Sequence, residues 1–350
     1  MNKLRLPKRS HKAARIVGLK IGGSQIAAAC VVNNGSVKVE RVARTRLAAG
    51  IVSGGELRDT HALADALRTF FDKEKLPKRG VRLGVASSRI GVRSFEIPAI
   101  DDEAQFLNAV RFRAQEALPI ALDEAIIDYR VLEEREGDQG EPIRRVLLVV
   151  AHRELVDRYV EACKLAGLTL SGIDLEAFAL LRALAAPADR DQSALVAVSI
   201  GHDRTTLAVS AGRVCEFTRV LKWGGWVLNN SLAAALDTTP DEAEEIKRTL
   251  SLSDEPSPAV EAVRRGVEAL ARELVSSLTY YQSQPDSLAI GEVVVTGGTA
   301  RLGGLAQELS RLLGVPVRVG DPLARVDLTH PVADEDRSSL AIAVGLGIED

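Results

Sequence analysis

Aromatic residues are scarce in this chain, at 4% of its 350 positions, and there are only three cysteines. Cys30, Cys163 and Cys215 are odd in number, far apart and set in apolar surroundings. That excludes a disulfide framework or a zinc cluster and leaves buried reduced thiols. His61, His152, His202 and His330 have no carboxylate or cysteine at ligand spacing, so no metal site is expected. Long apolar runs are missing too. No window offers the roughly 20 continuous apolar residues of a membrane helix, and Arg145–Ala151 is short and bounded by charge. Acidic residues are absent from the first fifteen positions, where Lys3, Arg5, Lys8, Arg9, Lys12 and Arg15 crowd together. No apolar stretch of roughly 7 to 15 residues, as a secretory signal requires, precedes Ile16. Residues 1–15 therefore read as an unfolded basic tail, either solvated or resting on anionic lipid at about 1 kcal/mol per cation. A cytoplasmic protein with no transmembrane segment of its own is expected.

What is present is an aliphatic core: 46% of the residues are hydrophobic and 27% charged, with a net charge of -3. Single cores rarely grow past roughly 250 residues, so the length predicts two core-bearing units.

An internal echo organises them. Val17–Ile21 reads as a strand, Gly22-Gly23-Ser24 as a tight turn, Gln25–Val32 as a second strand, and Asn34-Gly35 as a hairpin turn before an alternating third strand. About 180 residues later the grammar repeats: Val196–Gly201, Thr205–Val209, a turn at Ala211-Gly212, then Val214–Leu221. Each unit is followed by helical periodicity, at Leu63 to Phe71 and at Val263 to Leu278. Between the halves a block of different texture, residues 93–167, predicts a small subdomain of its own. The boundaries expected are 16–92 with 168–190 for a first lobe and 191–350 for a second, with a helical part at about 226–290 and a linker at Pro187–Gln192.

Three strand ends carry glycine: Gly22-Gly23-Ser24, Gly201-His202-Asp203 and Gly297-Gly298-Thr299. Glycine lets backbone amides approach an anion without Cβ interference, as phosphate binding requires. One such turn is usually structural; three, two of them inside a repeated unit, point to a nucleotide cleft. Gly224-Gly225 at the end of the last strand of the second unit is a fourth candidate. Glu244 and Lys247 lie one helical turn apart, either lining that cleft or forming an exposed ion pair.

At these residues the chain resembles the actin-like, Hsp70-like and sugar-kinase-like superfamily, and within it the PilM and FtsA families. The resemblance rests on the glycine loops and on Phe95-Glu96-Ile97-Pro98, Ala117-Leu118-Pro119, Asp128-Tyr129, Ile173-Asp174-Leu175-Glu176, Ala243–Lys247, Ser277–Tyr281 and Gly320-Asp321-Pro322-Leu323. It covers about residue 14 to the end. It implies an α/β, actin-like fold of ribonuclease H-like duplicated lobes with a small inserted α+β subdomain in the first lobe. It also implies nucleotide contacts at Lys20, Gly22, Gly23, Ser24, Gln25, Gly201, Thr205, Gly224, Gly225, Glu244, Lys247, Gly297 and Gly298. For the PilM family it implies a role in type IV pilus assembly at the inner face of the cytoplasmic membrane. The implied partners are the N-terminal segment of a PilN-like bitopic membrane protein, other inner-membrane pilus components and a second copy of the chain. No nucleic acid is expected.

The chain departs from the superfamily where Lys20 and Ser199 stand in place of two aspartates that handle magnesium. Without those carboxylates phosphoryl transfer loses charge neutralisation and positioning. ATP is therefore expected with weak or no hydrolysis, and magnesium is doubtful. Lys20 either contacts phosphate as a point charge or points to solvent, and Asp203 either supplies a substitute carboxylate or caps its own turn. Two alternatives are an active ATPase or small-molecule kinase, disfavoured by Lys20 and Ser199, and an FtsA-like cell-division protein, disfavoured by the acidic end at Gly347–Asp350.

Overall fold

The apolar run Val17–Ile21 is too short for a helix and ends at two glycines, so the chain extends and turns back on itself. In the computed structural model this gives an antiparallel meander of β1 (Ala14–Ile21), β2 (Gln25–Asn34) and β3 (Ser36–Arg46). The structure describes residues 14–117, 121–137, 140–185, 193–212, 214–284 and 287–349. The basic tail as far as residue 13 and the expected linker lie outside the described residues.

The tip hairpin of β4 (Val52–Ser53) and β5 (Glu56–Leu57) precedes α1 (Thr60–Lys73), which Asp59 caps by accepting from the Ala62 N–H. A crossover through α1 returns the chain to β6 (Arg79–Val85), parallel to β1, and β10 (Thr169–Leu175) lies parallel beyond it. The second half repeats the plan. Strands β11 (Ala194–Ile200), β12 (Thr205–Ala211) and β13 (Val214–Leu221) form the meander, with β14 (Ile290–Thr296) and β15 (Val317–Val319) parallel on the far side of β11. A short β16 (Asp327–Leu328) pairs with β3, tying the C-terminal region to the first sheet.

Each sheet has its own core. Leu19, Ile26, Leu67, Phe70, Phe71 and Leu83 fill the first. Leu207, Leu228, Leu232, Val263, Leu270 and Leu309 fill the second, under α5 (Gly225–Leu236), α6 (Pro240–Thr249), α7 (Pro258–Gln282) and α8 (Leu305–Leu313). Between the lobes run α4 (Glu176–Leu184) and, after the short α9 (Asp334–Arg337), α10 (Ala341–Gly347). These two pack backbone to backbone: a Cβ on Gly345 would lie 1.8 Å from the Ala179 carbonyl oxygen. Asp174 and Leu175 end β10, and α4 follows directly at Glu176.

The inserted block is a three-stranded antiparallel sheet, β7 (Ile90–Pro98), β9 (Pro142–His152) and β8 (Ala125–Glu136), covered by α2 (Glu103–Ala117). Its core holds Ile97, Phe106, Val110, Val146 and Leu148. Helix α3 (Arg153–Leu165) reads by texture as part of this insert, but Tyr159, Ala162 and Cys163 pack into the first-lobe core. The insert also reaches the second lobe, where Arg145 of β9 pairs with Glu216 of β13. No helix among the described residues is long and apolar enough to cross a membrane.

Candidate functional site

The turn between β11 and β12 carries His202, Asp203 and Arg204 into the seam between the lobes. The Gly201 N–H donates to the Arg204 carbonyl at 2.9 Å. The Gly201 carbonyl accepts from the Gly225 N–H at 2.9 Å and from Thr299 Oγ1 at 3.2 Å. Three loops therefore meet at one oxygen. Glycine is needed where they touch: a Cβ on Gly224 would sit 2.4 Å from the His202 carbonyl oxygen, and one on Gly297 2.4 Å from that of Ile200. The first lobe joins through Gly23, where a Cβ would meet Asp203 Oδ2 at 2.6 Å. Gly22 closes its own turn by donating to the Gln25 carbonyl at 2.8 Å, and the Ser24 carbonyl accepts from Leu47 at the same distance. Gly298 faces open space.

Glu244 and Lys247 of α6 form an ion pair of 2.7 Å, yet Lys247 is buried. Its ammonium also donates to Asn229 Oδ1 at 2.7 Å and to the Gly225 carbonyl at 3.3 Å, so the exposed-pair reading is excluded. Burial lowers its pKa. Helix α6 is held in this position by a capping box of Thr239 and Glu242. Thr205 is fully buried, and its hydroxyl donates to the Trp223 carbonyl at 2.7 Å.

The charges of the seam decide its chemistry. Lys20 lies on β1, whose inner residues are covered on both faces, and is 7% exposed, so it does not point to solvent. Among the described residues it makes no hydrogen bond or ion pair. Burial lowers its pKa, with Glu176 opposing and Arg204 adding to the effect. Arg204 is buried as well. It donates to Glu176 Oε1 at 2.9 Å and, across the seam, to the Ile21 carbonyl at 3.0 Å. Burial works against its charge, but Glu176 and Asp203 outweigh that and hold its pKa above the usual value. Among the described residues its Nε has no hydrogen-bond partner. Asp203 does not cap its own turn: Oδ2 accepts from the Gly54 N–H of the first lobe at 2.6 Å. Gly54 and Gly55 form the β4–β5 turn with positive φ, and the Gly55 carbonyl accepts from Tyr159 Oη at 3.2 Å.

Sequence reasoning missed Gly54, Gly55, Tyr159, Glu176 and Arg204. The Gly54-Gly55 pair between Val52 and Leu57 is a readable hairpin signal; nothing local marks Tyr159. Among the described residues, cavities of about 640 and 400 Å³ include none of the loop glycines in their lining. The larger is lined by Ser88, Arg219, Lys222, Trp223, Arg272 and Glu273, among others, and by none of the residues expected to bind nucleotide.

A family profile described as the type IV pilus assembly protein PilM matches residues 18–350. The chain belongs to that family. The PilM-family fold is borne out by a chain of a solved PilM-PilN type IV pilus biogenesis complex, similar at a TM-score of 0.84 with 24% identity, over 96% of this chain and 98% of that one. The cell division protein FtsA of Escherichia coli K12 is 24% identical over 94% of this chain and 89% of its own length. MreB 5 of Spiroplasma citri bound to AMPPNP matches at a TM-score of 0.54 with 12% identity, covering 95% of each chain. The fold is thus the actin-like one expected, and the family places the chain in type IV pilus assembly.

Magnesium does not fit the seam of this PilM-family chain. A divalent ion would face Lys20 and Arg204, while Glu176 is committed to Arg204 and Asp203 to Gly54; magnesium needs free carboxylates or phosphates. A phosphate group does fit in kind, because an unpartnered ammonium and an unpartnered guanidinium N–H stand beside glycine turns.

Proposed function

We propose that this protein is a cytoplasmic scaffold of type IV pilus assembly, peripheral to the inner face of the membrane. It receives the N-terminal segment of a PilN-like bitopic protein in the groove between the first lobe and the inserted sheet. An extended segment can add to a sheet edge or fill side-chain pockets there. Any nucleotide is held by Lys20 and the loops at Gly22–Gln25, Gly201, Gly224-Gly225 and Gly297-Gly298, with Glu244 and Lys247 on the adenosine side, and is not turned over. Other inner-membrane components and a second copy are further partners.

One observation carries this reading: the seam balances its charges with Lys20, Arg204, Glu176 and Asp203, and keeps no carboxylate free for a metal. Binding, rather than phosphoryl chemistry, is then the use left to the fold. The insert supports it, having its own core and an anchor to each lobe, through α3 and through Arg145–Glu216. Calorimetric titration with a synthetic peptide of the partner's cytoplasmic segment tests it. One-to-one binding is expected, and absence of heat or of any competing signal at saturating peptide overturns it.

A further inference from the structure

The Asp203 carboxylate sits between the glycine turn of the first lobe and the β4–β5 hairpin, in the seam read above as a phosphate site. A Cβ on Gly23 would meet its Oδ2 at 2.6 Å, the same oxygen accepts the Gly54 N–H, and its other oxygen lies 3.5 Å from Arg204 Nη1. Neighbouring cations are left short of anionic contact, since among the described residues neither the Lys20 ammonium nor Arg204 Nε has a partner. We propose that Asp203 is an internal competitor for phosphate: it fills the cradle between the lobes, and a nucleoside polyphosphate binds, without metal, by displacing it, with Lys20 as the counter-charge.

Charge arithmetic supports the exchange. With Asp203 seated, two cations face two carboxylates. Once it swings out, Lys20 and Arg204 face Glu176 alone, and the one net positive charge left attracts an incoming phosphate. A magnesium ion carried with the phosphate would be repelled by the two fixed cations and would find Glu176 already committed to Arg204. The same displacement frees the Gly54 N–H at the tip of the β4–β5 hairpin, so ligand exchange is coupled to a contact between the lobes. Neither the direction nor the metal-independence of this exchange depends on the peptide partner; it rests only on reading the seam as a phosphate site.

The test is calorimetric titration of the full chain with ATP and with inorganic tripolyphosphate, each in excess chelator and in magnesium. If the cradle is free in about one wild-type molecule in ten, Asp203→Asn and Asp203→Gly bind about tenfold more tightly than wild type. Magnesium changes neither, and adding Lys20→Met to Asp203→Asn abolishes binding. Folded Asp203 variants that bind no more tightly than wild type, or a strict magnesium requirement, overturn the proposal. Should the variants fail to fold, hydrogen exchange on wild type decides. Saturating ATP accelerates exchange at the Gly54 amide if Asp203 is displaced, and unchanged protection with ATP bound refutes it. Either result leaves the peptide titration free to succeed or fail independently.

Discussion

Replacing Glu176 with leucine leaves the Arg204 guanidinium in the seam without its closest carboxylate. The two side chains are 2% and 6% exposed and meet at 2.9 Å, so water cannot substitute for the lost partner. Breaking one side of a buried ion pair costs about 3–5 kcal/mol, a third or more of the stability of an ordinary domain. Asp203, 3.5 Å from the guanidinium, and the Ile21 carbonyl recover only part of it. Removing both charges with Glu176→Leu and Arg204→Met places two apolar side chains of similar size at the site, and such replacements are often neutral. Urea unfolding of wild type, both single variants and the double gives the coupling directly. We expect Glu176→Leu to lose about 3–5 kcal/mol and the double variant to regain at least half of it. A loss below about 1 kcal/mol in the single variant, or simple additivity in the double, would refute the claim that the pair is dry and mutually dependent.

Three further outcomes follow from the same contacts. Lys20 has a pKa lowered by burial, so the unfolded chain holds its proton up to 10.5 while the native one releases it earlier. Relative to Lys20→Met, wild type should therefore be most stable above that pH and lose stability as the pH falls through the lowered native value, as urea midpoints at pH 7 and pH 10 will show. Gly55 has φ of +82° and faces the Ala86 carbonyl oxygen, 2.0 Å from where a Cβ would sit. Gly55→Ala should cost at least about 1–3 kcal/mol from backbone strain alone, seen as a lowered Tm; an unchanged Tm would mean the hairpin tip is not seated in the seam. Glu216→Ala removes the inserted sheet's partner on the second lobe, and should speed amide exchange in β7 and β13 while leaving β11 protected.

The repeated meanders were legible because their signals are local. Short apolar runs ending in glycine and the Asn34-Gly35 turn specify strand, turn and strand within thirty or so residues, wherever the rest of the chain lies. The loops at Gly23, Gly201, Gly224, Gly225 and Gly297 were legible for the same reason, and they do gather. What could not be read depends on the other lobe. Lys20 sits in a strand whose inner residues are covered on both faces, so no alternation tells buried from exposed. Its surroundings come from α4 and from the β11–β12 turn, more than 150 residues away. Arg204 adjoins a recognised loop, but its carboxylate, Glu176, and its carbonyl, Ile21, are brought near only when the lobes close. The packing of α3 into the first lobe is of the same kind: its apolar stripe of Leu155, Val156, Tyr159 and Cys163 is plain in sequence, and the choice of partner is not.

Steady-state phosphate release from ATP, with magnesium in excess and the protein in its wild-type form, puts the most direct question to a seam neutralised by its own side chains. The charge pattern at Lys20, Arg204, Glu176 and Asp203 predicts no turnover above the protein-free background, with or without the metal. Sustained magnesium-dependent release that disappears in Asp203→Asn would make Asp203 a metal-handling carboxylate, and would contradict it.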